Sequence, residues 1–321
     1  MRFDFSAGAF VYKKEHGKTL VLFLERVHGG PLDLPKGHLE RGEDSEQAAK
    51  REIMEESGLA VDFVPYFKRR IHYFFRENRT HVSKTVTLFI ADSGSKSVKI
   101  SQEHSGYRWL DREQALSEVK YPDIRKMLPD VFEYIERYEN ISALNSEYSK
   151  LPQTLGRWGL SKTFVPGDGP LDAKTMVLGQ APGRNEDVLK KPFVGRSGKV
   201  LDFMLKQARL KRDKIYITSC VQFFPPENRL PTKEEVVACR RFLESQIRII
   251  APKNIILLGN LACSTMLGYD KVVQNHGKLV KKDGINYFIT FHPAMALRSS
   301  KRVAKLMEED FDSIGERVLA K

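Results

Sequence analysis

Short runs of apolar, β-branched and aromatic residues recur through the first third of the chain, separated by stretches that favour turns. The runs are AGAFVY, TLVLFL, YFKRRIHYFF and TVTLFIA, and segments of this length and composition are typical of β-strands. The sequence from Asp44 to Ser57 predicts a helix, since DSEQAAKREIMEES has a capping start and Gly58 suits a C-terminal cap. A second helix is predicted at about 124–140. Together these elements indicate a mixed sheet with helices.

Beyond residue 155 the pattern changes to apolar strands that alternate with amphipathic helices. The segments are KTMVLGQAP, KVLDFMLKQARL, KIYITSCV, KEEVVACRRFLESQIRII, KNIILLG and YFITFHP. This alternation predicts a parallel sheet with helices on both faces. Functional sites in such sheets form at the carboxyl ends of the strands, where GQAPG, TSC and FHPA fall.

The stretch between the two patterns, ISALNSEYSKLPQT at 141–154, lacks a clear period and contains Asn, Ser and Pro. It is therefore predicted to be a linker. The 321 residues are enough for two cores. We expect one domain at 1–140 and another at 155–321.

The composition is that of a soluble globular protein, with 41% hydrophobic and 29% charged residues. No apolar run reaches the length of about 18 residues that a membrane span needs, so no membrane partner is expected. The start MRFDF does not resemble a signal peptide, which predicts a cytoplasmic location. The 3 cysteines lack CxxC spacing and are expected to be reduced thiols.

The charge is unevenly divided between the two halves. Residues 1–150 hold 24 Lys+Arg against 24 Asp+Glu, whereas residues 151–321 hold 29 against 17, which accounts for the net charge of +12. A basic excess confined to one domain suits binding of a phosphate backbone. DNA, single- or double-stranded, is therefore a predicted partner of the second half, although basic surfaces also serve solubility.

The first half contains a motif with the spacing of a metal site. In GHLERGEDSEQAAKREIMEESGL, at 37–59, Glu52, Glu55 and Glu56 stand at helical spacing, so one helix face carries three carboxylates. Such a cluster suits a hard cation, Mg²⁺ or Mn²⁺, and Arg51 can orient a neighbouring glutamate. The segment matches the Nudix box at every fixed position. This resemblance implies an α/β/α sandwich with a mixed sheet and a metal-dependent pyrophosphohydrolase.

The flanking segments LDLPKGHLERGED, SKTVTLFIA and ISQEHSGYRWL resemble the asymmetric diadenosine tetraphosphate hydrolases over residues 1 to about 138. The resemblance implies a nucleoside polyphosphate substrate, Lys36 and His38 near phosphate or metal, and Lys84 on phosphate. It also implies Glu103 as a further metal ligand or base, and Tyr107 as a stacking partner for adenine. Related Nudix enzymes hydrolyse nucleotide sugars or remove pyrophosphate from RNA 5′ ends, so the substrate stays open.

The second half resembles the family 4 uracil-DNA glycosylases. Five blocks appear in family order: GQAPGRNED, KPFVGRSGKVLD, IYITSCVQFFPPENRLPTKEEVVAC, NIILLGNLA and FHPAMALR. The resemblance implies an α/β/α fold with a central parallel sheet. It assigns Phe193 to stacking the flipped base, His292 to its oxygen, Glu186 to the catalytic water and Asn228 to the pocket. The loop 295–298, which ends in Arg298, would contact DNA.

Three positions depart from that family. Gln180 replaces a glutamate, and an amide can hold a water but cannot act as a base. Ser219 replaces an asparagine that reads uracil, which removes a bidentate match to the base edge. Of the four cysteine ligands of the family's iron-sulfur cluster only Cys239 remains, with Phe223 in place of another. No iron-sulfur cluster is expected, and apolar packing around Phe223 and Phe224 is predicted instead.

These features predict a bifunctional enzyme for nucleotide and DNA maintenance, with a Nudix pyrophosphohydrolase fused to a glycosylase for uracil or another deaminated base. An alternative makes the second domain a non-excising nucleic-acid binder that delivers the hydrolase to a 5′-polyphosphate end. A third possibility is excision of a different base, such as hypoxanthine, with Ser219 relaxing the recognition of the base edge.

Overall fold

The chain forms two compact units. The computed structural model describes residues 1–78, 80–94, 97–151, 159–298 and 301–320. The first unit comprises Met1–Tyr138 and the second Glu139–Lys321. Within the described ranges, no helix is both long enough and apolar enough to cross a membrane.

The first unit is built on one mixed sheet. Its strands are β1 Arg2–Glu15, β2 Lys18–Arg26, β3 Lys36–His38, β4 Asp62–Phe63, β5 Arg69–Glu77, β6 Thr80–Asp92 and β7 His104–Leu110. The order across the sheet is β4-β6-β1-β2-β7, with β3 beside β1 and β5 beside β6. β1 and β6 are parallel, and the other pairs are antiparallel. The prediction of a mixed sheet is confirmed.

Helix α1, Ser45–Ser57, covers one face of this sheet. It begins with a capping box, in which the Asp44 side chain accepts from backbone N–H groups and Gln47 returns a bond. It ends at Gly58, whose φ of 67° is the left-handed conformation that glycine adopts readily. Its buried residues pack on alternate residues of the central strands, among them Ala7 and Phe89. Both ends of α1 are therefore fixed by local sequence.

Two more helices follow: α2 at Arg112–Glu118 and α3 at Pro122–Tyr148. α3 corrects the prediction of a helix at 124–140 and a linker at 141–154, because residues 141–148 are helical. Ile141 and Tyr148 lie seven residues apart, which places them on one helix face, and both are buried. Tyr148 packs on Phe242 with ring centroids 4.5 Å apart. Residues 152–158, which include the predicted domain start at 155, lie outside the described ranges.

The second unit alternates strands and helices. Its strands are β8 Thr175–Gly179, β9 Ile215–Ser219, β10 Asn254–Leu258, β11 Leu279–Lys282 and β12 Ile285–Thr290. Its helices are α4 Arg184–Leu189, α5 Arg196–Gln207, α6 Lys233–Ile250, α7 Gly259–Leu267, α8 Pro293–Arg298 and α9 Lys301–Leu319. The sheet order is β11-β12-β10-β8-β9.

Four strands of this sheet are parallel, but β11 pairs antiparallel with β12 at the edge, so the sheet is mixed rather than wholly parallel. The reason is the two-residue turn between them, where Asp283 and Gly284 have φ of 50° and 76°. Asp-Gly is a strong hairpin signal because both turn residues need positive φ. The four parallel strands end together. This brings Ser219 at the end of β9, and Gln180 and His292 in the loops after β8 and β12, to one edge of the sheet, as predicted.

Candidate functional sites

Arg51 on α1 binds the acidic residues of the first unit. Its Nε and Nη2 donate to the two carboxylate oxygens of Glu43 at 2.9 and 3.0 Å. Its Nη1 donates to Glu52 at 2.8 Å and to Glu55 at 3.1 Å, and Nη2 also reaches the carbonyl of His38 at 2.8 Å. The guanidinium therefore holds the carboxylates of Glu43, Glu52 and Glu55, in agreement with the prediction that Arg51 orients a neighbouring glutamate.

Gly37 on β3 lies against the Glu52 carboxylate of α1, so a larger residue at this position would displace that side chain. A Cβ on Gly37 would stand 2.0 Å from a carboxylate oxygen of Glu52. One residue earlier, the backbone N–H of Lys36 donates to Glu56 at 2.9 Å. Burial raises the pKa of Glu56 to about 7, against the opposing effect of the Lys36 N–H. Glu52 and Glu56 thus line the junction of β3 and α1.

The donor chemistry of this junction fits a hard divalent cation, because carboxylate oxygens are the ligands that Mg²⁺ prefers. The carboxylates of Glu52, Glu55 and Glu56 do not point to one common position. In the described part of the chain no three His, Cys, Asp or Glu side chains converge closely enough to hold a metal ion. Glu52 and Glu55 bind Arg51, and Glu56 binds the Lys36 N–H. Metal binding by these glutamates therefore requires side-chain rotation.

A buried carboxylate that sequence reasoning missed lies beside Glu56. Asp33 is 6% exposed and accepts from Lys36 Nζ at 2.6 Å and from Arg26 Nη2 at 2.7 Å. These two cations, with the N–H of Leu34, outweigh burial and lower the pKa of Asp33. Asp33 therefore holds the side chain of Lys36, which is predicted to lie near phosphate or metal. The DLPKG spacing was the sequence signal for this pair.

Lys84 and His38 meet on the face of the sheet that α1 does not cover. Lys84 Nζ lies 3.3 Å from His38 Nε2, and both groups contact the carboxylate of Asp4, at 3.4 and 3.2 Å. Burial opposes ionisation of Asp4, but the charge of Lys84 and the bond from His38 lower its pKa overall. The two predicted substrate-binding residues are thus together in the structure.

Two tyrosines that the sequence did not single out adjoin Asp33. Burial raises the pKa of Tyr73 and of Tyr121, and the charge of Asp33 acts on both phenols in the same direction. Tyr73 lies opposite Lys84 in the strand register and is 40% exposed. Tyr107, the predicted stacking residue, lies two residues before Trp109 on β7. Both therefore face the α1 side of the sheet, away from Lys84.

Glu103 lies exposed in the turn before β7, where its carbonyl accepts from the N–H of Val27. Burial lowers the pKa of His104, and the charges of Glu103, Arg26 and Asp33 all act on this imidazole. Among the described residues, Glu103 forms no hydrogen bond or ion pair with the α1 glutamates.

In the second unit, Phe193 and His292 face each other at the carboxyl edge of the sheet. Their ring centroids are 5.9 Å apart with an interplanar angle of 34°. Phe193 has a φ of 53°, unusual for a bulky residue, and is 8% exposed. The backbone of Gly198 leaves no room for a side chain, since a Cβ there would stand 1.9 Å from the Phe193 carbonyl oxygen. The start of α5 therefore packs against the Phe193 backbone.

The hydrogen bonding of His292 defines its tautomer. The backbone N–H of Ala294 donates to Nδ1 at 3.2 Å, so the proton of the neutral ring is on Nε2. Burial, assisted by the positive charge of Arg298, lowers the pKa of His292 to about 4. At neutral pH this residue is thus a neutral imidazole with an Nε2–H donor.

Gln180 and Ser219 complete the same edge. A Cβ on Gly259 would lie 2.9 Å from the Cβ of His292 and 3.0 Å from Gln180 Nε2, which places these two side chains side by side. On the other side, Ser219 Oγ lies 3.4 Å from where a Cβ of Gly179 would stand. The Phe193 ring comes within 2.6 Å of that same point, so no larger residue fits there.

Glu186 contacts backbone rather than open space. Its carboxylate accepts from the N–H groups of Gly183 at 3.1 Å, Val194 at 2.9 Å and Gly195 at 2.7 Å. Three donors converge on one side chain, which ties the loop after β8 to the segment that follows Phe193. The predicted role beside a catalytic water stays a prediction, whereas the role in holding Phe193 is visible.

The two remaining predicted residues lie at the rim. Asn228 is exposed with a φ of 57°, and its Oδ1 lies 3.5 Å from where a Cβ of Gly183 would stand. Arg298 is exposed at the end of α8, where its charge acts on His292.

The cysteines are interior groups. Cys220, Cys239 and Cys263 are buried free thiols, and burial raises their pKa values to about 12, 11 and 12. Cys239 packs with Phe223 and other apolar side chains in one buried cluster. Phe224 is only half-buried and stands outside that cluster. These surroundings do not fit an iron-sulfur cluster.

Comparisons with known proteins assign both units. Residues 2–131 match the NUDIX domain and residues 166–314 match the uracil DNA glycosylase superfamily. A type-4 uracil-DNA glycosylase of Sulfurisphaera tokodaii is 40% identical over 171 residues, which are 50% of this chain and 76% of that protein. The chain belongs to both families. The predicted fusion is confirmed.

Two further relatives agree with the division into a Nudix unit and a glycosylase unit. A type-4 uracil-DNA glycosylase of Saccharolobus solfataricus is 35% identical over 57% of this chain and 88% of its own length. An asymmetrical bis(5′-nucleosyl)-tetraphosphatase of Mus musculus is 31% identical over 32% of this chain and 69% of its own length.

Proposed function

We propose that the Nudix unit hydrolyses a nucleoside polyphosphate of the diadenosine tetraphosphate type, using Mg²⁺ or Mn²⁺. The observation that carries the proposal is the position of Lys84 beside His38, and of Lys36 two residues along β3, where its N–H binds Glu56. Lysines next to a carboxylate edge suit a polyphosphate chain that ends at the reacting phosphorus. The mouse relative, named as an asymmetrical tetraphosphatase, supports the substrate class.

In this proposal Glu52, Glu55 and Glu56 hold the cation, with Glu103 as a further ligand or base. A bound cation supplies neutralisation of the phosphate charge and activation of a water for attack. Arg51 orients Glu52 and Glu55. Lys36 and Lys84 bind phosphate oxygens.

Tyr73 is better placed than Tyr107 to stack a base, because it stands opposite Lys84 on the same side of the sheet.

Hydrolysis of diadenosine tetraphosphate by the full chain, followed during a Mg²⁺ titration, tests this function. We expect turnover that depends on the cation, with ATP and AMP as the products of asymmetric cleavage. A matched series of nucleotide sugars and 5′-triphosphate RNA decides the substrate class. Faster turnover of either competitor than of the dinucleotide would contradict the proposed substrate.

We propose that the glycosylase unit releases uracil from DNA by N-glycosidic hydrolysis. The observation that carries the proposal is the pairing of the Phe193 ring with the His292 ring at the strand ends. A flipped base would stack on Phe193, with Gln180 and Ser219 beside it. The type-4 relatives support uracil as the substrate.

Neutral His292 suits this reaction because Nε2–H can donate to a carbonyl oxygen of the base as negative charge develops on it. Asn228 at the rim would contact the pocket, and Arg298 would contact the opened DNA. Gln180 would hold a water through its amide, although it cannot remove a proton from it.

Uracil release from single-stranded and duplex DNA is the test, with His292→Ala as the control. We expect release by the wild type and a loss of about a hundredfold or more in the variant, since one donor to a developing oxyanion contributes on that order. Clear DNA binding with no release from uracil or hypoxanthine substrates would favour the alternative of a non-excising binder. Release of hypoxanthine alone would move the assignment to another base, for which the hydroxyl of Ser219 gives a physical reason.

The stability of the glycosylase unit should fall as the pH falls from about 6.5 to about 4. The folded state keeps His292 neutral down to a pKa of about 4, whereas an unfolded histidine binds its proton near pH 6.5. In that window the unfolded state holds the extra proton, so acid favours unfolding by up to about 3 kcal/mol. Thermal unfolding of the wild type and His292→Gln across this pH range measures the effect, and parallel curves would contradict it.

A further inference from the structure

A group of exposed aromatic side chains lies on the α1 side of the Nudix sheet, in the rows that α1 does not cover. Phe3 and Phe5 on β1 are 65% and 53% exposed, and Phe74 on β5 is 63% exposed. The next residues of β1 on this side, Ala7 and Ala9, are buried beneath α1. The exposed rings therefore continue the covered face of the sheet into solvent.

The register of the three strands sets the spacing of the rings. β6 lies between β1 and β5, with Ser83 directly between Phe3 and Phe74. Since neighbouring strands lie about 4.8 Å apart, Phe3 and Phe74 are separated by about 10 Å. Alternate residues of one strand are about 7 Å apart, which is the distance from Phe3 to Phe5. Between the rings, buried Ser83 and half-buried Thr85 form a hydroxyl floor.

The side chains that share this face are basic. They are Arg70, His72 and Arg76 on β5 and His81 on β6, all exposed. The carboxylates next to these residues in sequence, Asp4 and Glu77, belong to the other side, where Asp4 contacts Lys84 and Glu77 contacts Arg2. In the described part of the chain, Arg70 and Arg76 have no ion pair.

Exposed aromatic rings that are separated by hydroxyl groups and bordered by unpaired arginines suit one class of ligand, the single-stranded nucleic acids. Bases stack on aromatic side chains, and arginines neutralise the phosphates between them. An apolar protein partner would instead favour a continuous apolar patch depleted of charge at its centre. His72 forms a hydrogen bond with Ser83 Oγ at 2.8 Å and packs edge-on against Phe74. The centre of this face is therefore polar.

We propose that this aromatic-basic face, formed by Phe3, Phe5, Arg70, His72, Phe74, Arg76 and His81, binds single-stranded DNA. The bases stack on the three phenylalanines, and the two arginines bind the backbone. The choice of DNA over RNA rests on the proposed glycosylase function. The face uses none of the residues assigned to polyphosphate hydrolysis.

Photocrosslinking of single-stranded DNA that contains 5-iodouracil to the full chain locates the contact directly. Trypsin releases Phe3 and Phe5 in the peptide 3–13 and Phe74 in the peptide 71–76. We expect both peptides to carry crosslinked nucleotide, and fragmentation of the second peptide should place the crosslink on Phe74 and not on Tyr73, which faces the other side of the sheet. Crosslinks confined to residues 159–320 would overturn the proposal. Failure of uracil release would not affect this readout, because the crosslinks are located by peptide and not by activity.

Affinity for an oligothymidylate in the full chain supplies the second measurement. Phe3→Ala, Phe5→Ala and Phe74→Ala combined should weaken binding at least fivefold, since stacking on one ring alone contributes about that factor. Phe74→Tyr should retain the affinity, and Phe203→Ala, an exposed ring on α5, is the matched control. Hydrolysis of diadenosine tetraphosphate should not change in any of them, which shows that the variants are folded.

The arginines are tested by charge reversal. Arg70→Glu with Arg76→Glu should weaken binding and flatten its dependence on salt, whereas Arg112→Glu, at an exposed position on α2, should do neither. Tighter binding of single-stranded RNA than of DNA overturns the DNA assignment. A concentration-dependent dimer that the phenylalanine variants abolish, without crosslinks, makes the face a contact between copies of this chain instead.

Discussion

Replacing Glu56 by Gln is expected to lower polyphosphate hydrolysis by about a hundredfold to a thousandfold at saturating Mg²⁺. The amide keeps the shape of the side chain and its acceptor for the Lys36 N–H, but it removes a charged metal ligand and the group whose pKa burial raises to about 7. Steady-state turnover of diadenosine tetraphosphate measures the loss.

Glu46→Gln is the matched control, because Glu46 lies exposed in the first turn of the same helix. It should leave turnover unchanged and affect only the helix dipole by a few tenths of a kcal/mol. Wild-type turnover in Glu56→Gln and also in Glu55→Gln would contradict the assignment of the site to this helix face.

Replacing Glu186 by Gln is expected to destabilise the glycosylase unit by about 2 to 4 kcal/mol and to abolish base release with it. The carboxylate accepts three backbone N–H groups, and an amide offers one oxygen while its NH₂ faces a donor. Val194 and Gly195 directly follow Phe193, so weaker hydrogen bonds from their N–H groups to residue 186 are expected to displace the Phe193 ring. Thermal unfolding and uracil release should therefore decline together.

The combination of the two measurements separates two roles for this carboxylate. Lost base release at unchanged stability would favour the catalytic-water role that the family resemblance implies. Glu227→Gln, at an exposed position in the neighbouring turn, should alter neither quantity.

The sequence predicted those parts of the structure that local patterns encode. The helix that carries Glu52, Glu55 and Glu56 followed from its caps and spacing, and the strand-end loops followed from the alternation of strands and helices. Helix α3 was predicted too short, because the mostly polar segment SALNSE between Ile141 and Tyr148 conceals a two-turn period. The antiparallel edge strand was missed although Asp283-Gly284 is a hairpin signal.

Contacts between residues distant in sequence could not be inferred from the pattern. Nothing local indicates that Arg26 joins Asp33 and Lys36, or that the N–H groups around Phe193 converge on Glu186. Tyr107 was predicted to stack a base and Tyr73 was not, because only the strand register assigns each residue to a side of the sheet. Helical spacing placed Glu52, Glu55 and Glu56 on one face of α1. Their carboxylates do not meet at one point, because Glu52 and Glu55 bind Arg51 and Glu56 binds the Lys36 N–H.

The burial of all three cysteines has a practical consequence for experiments on this protein. A thiol reacts as its thiolate, and these groups are interior with raised pKa values, so alkylating reagents should leave the native chain unlabelled. A single cysteine introduced on the surface would then be the only reactive thiol. Fluorophores or spin labels could be attached to either unit, one at a time, without first removing the native residues.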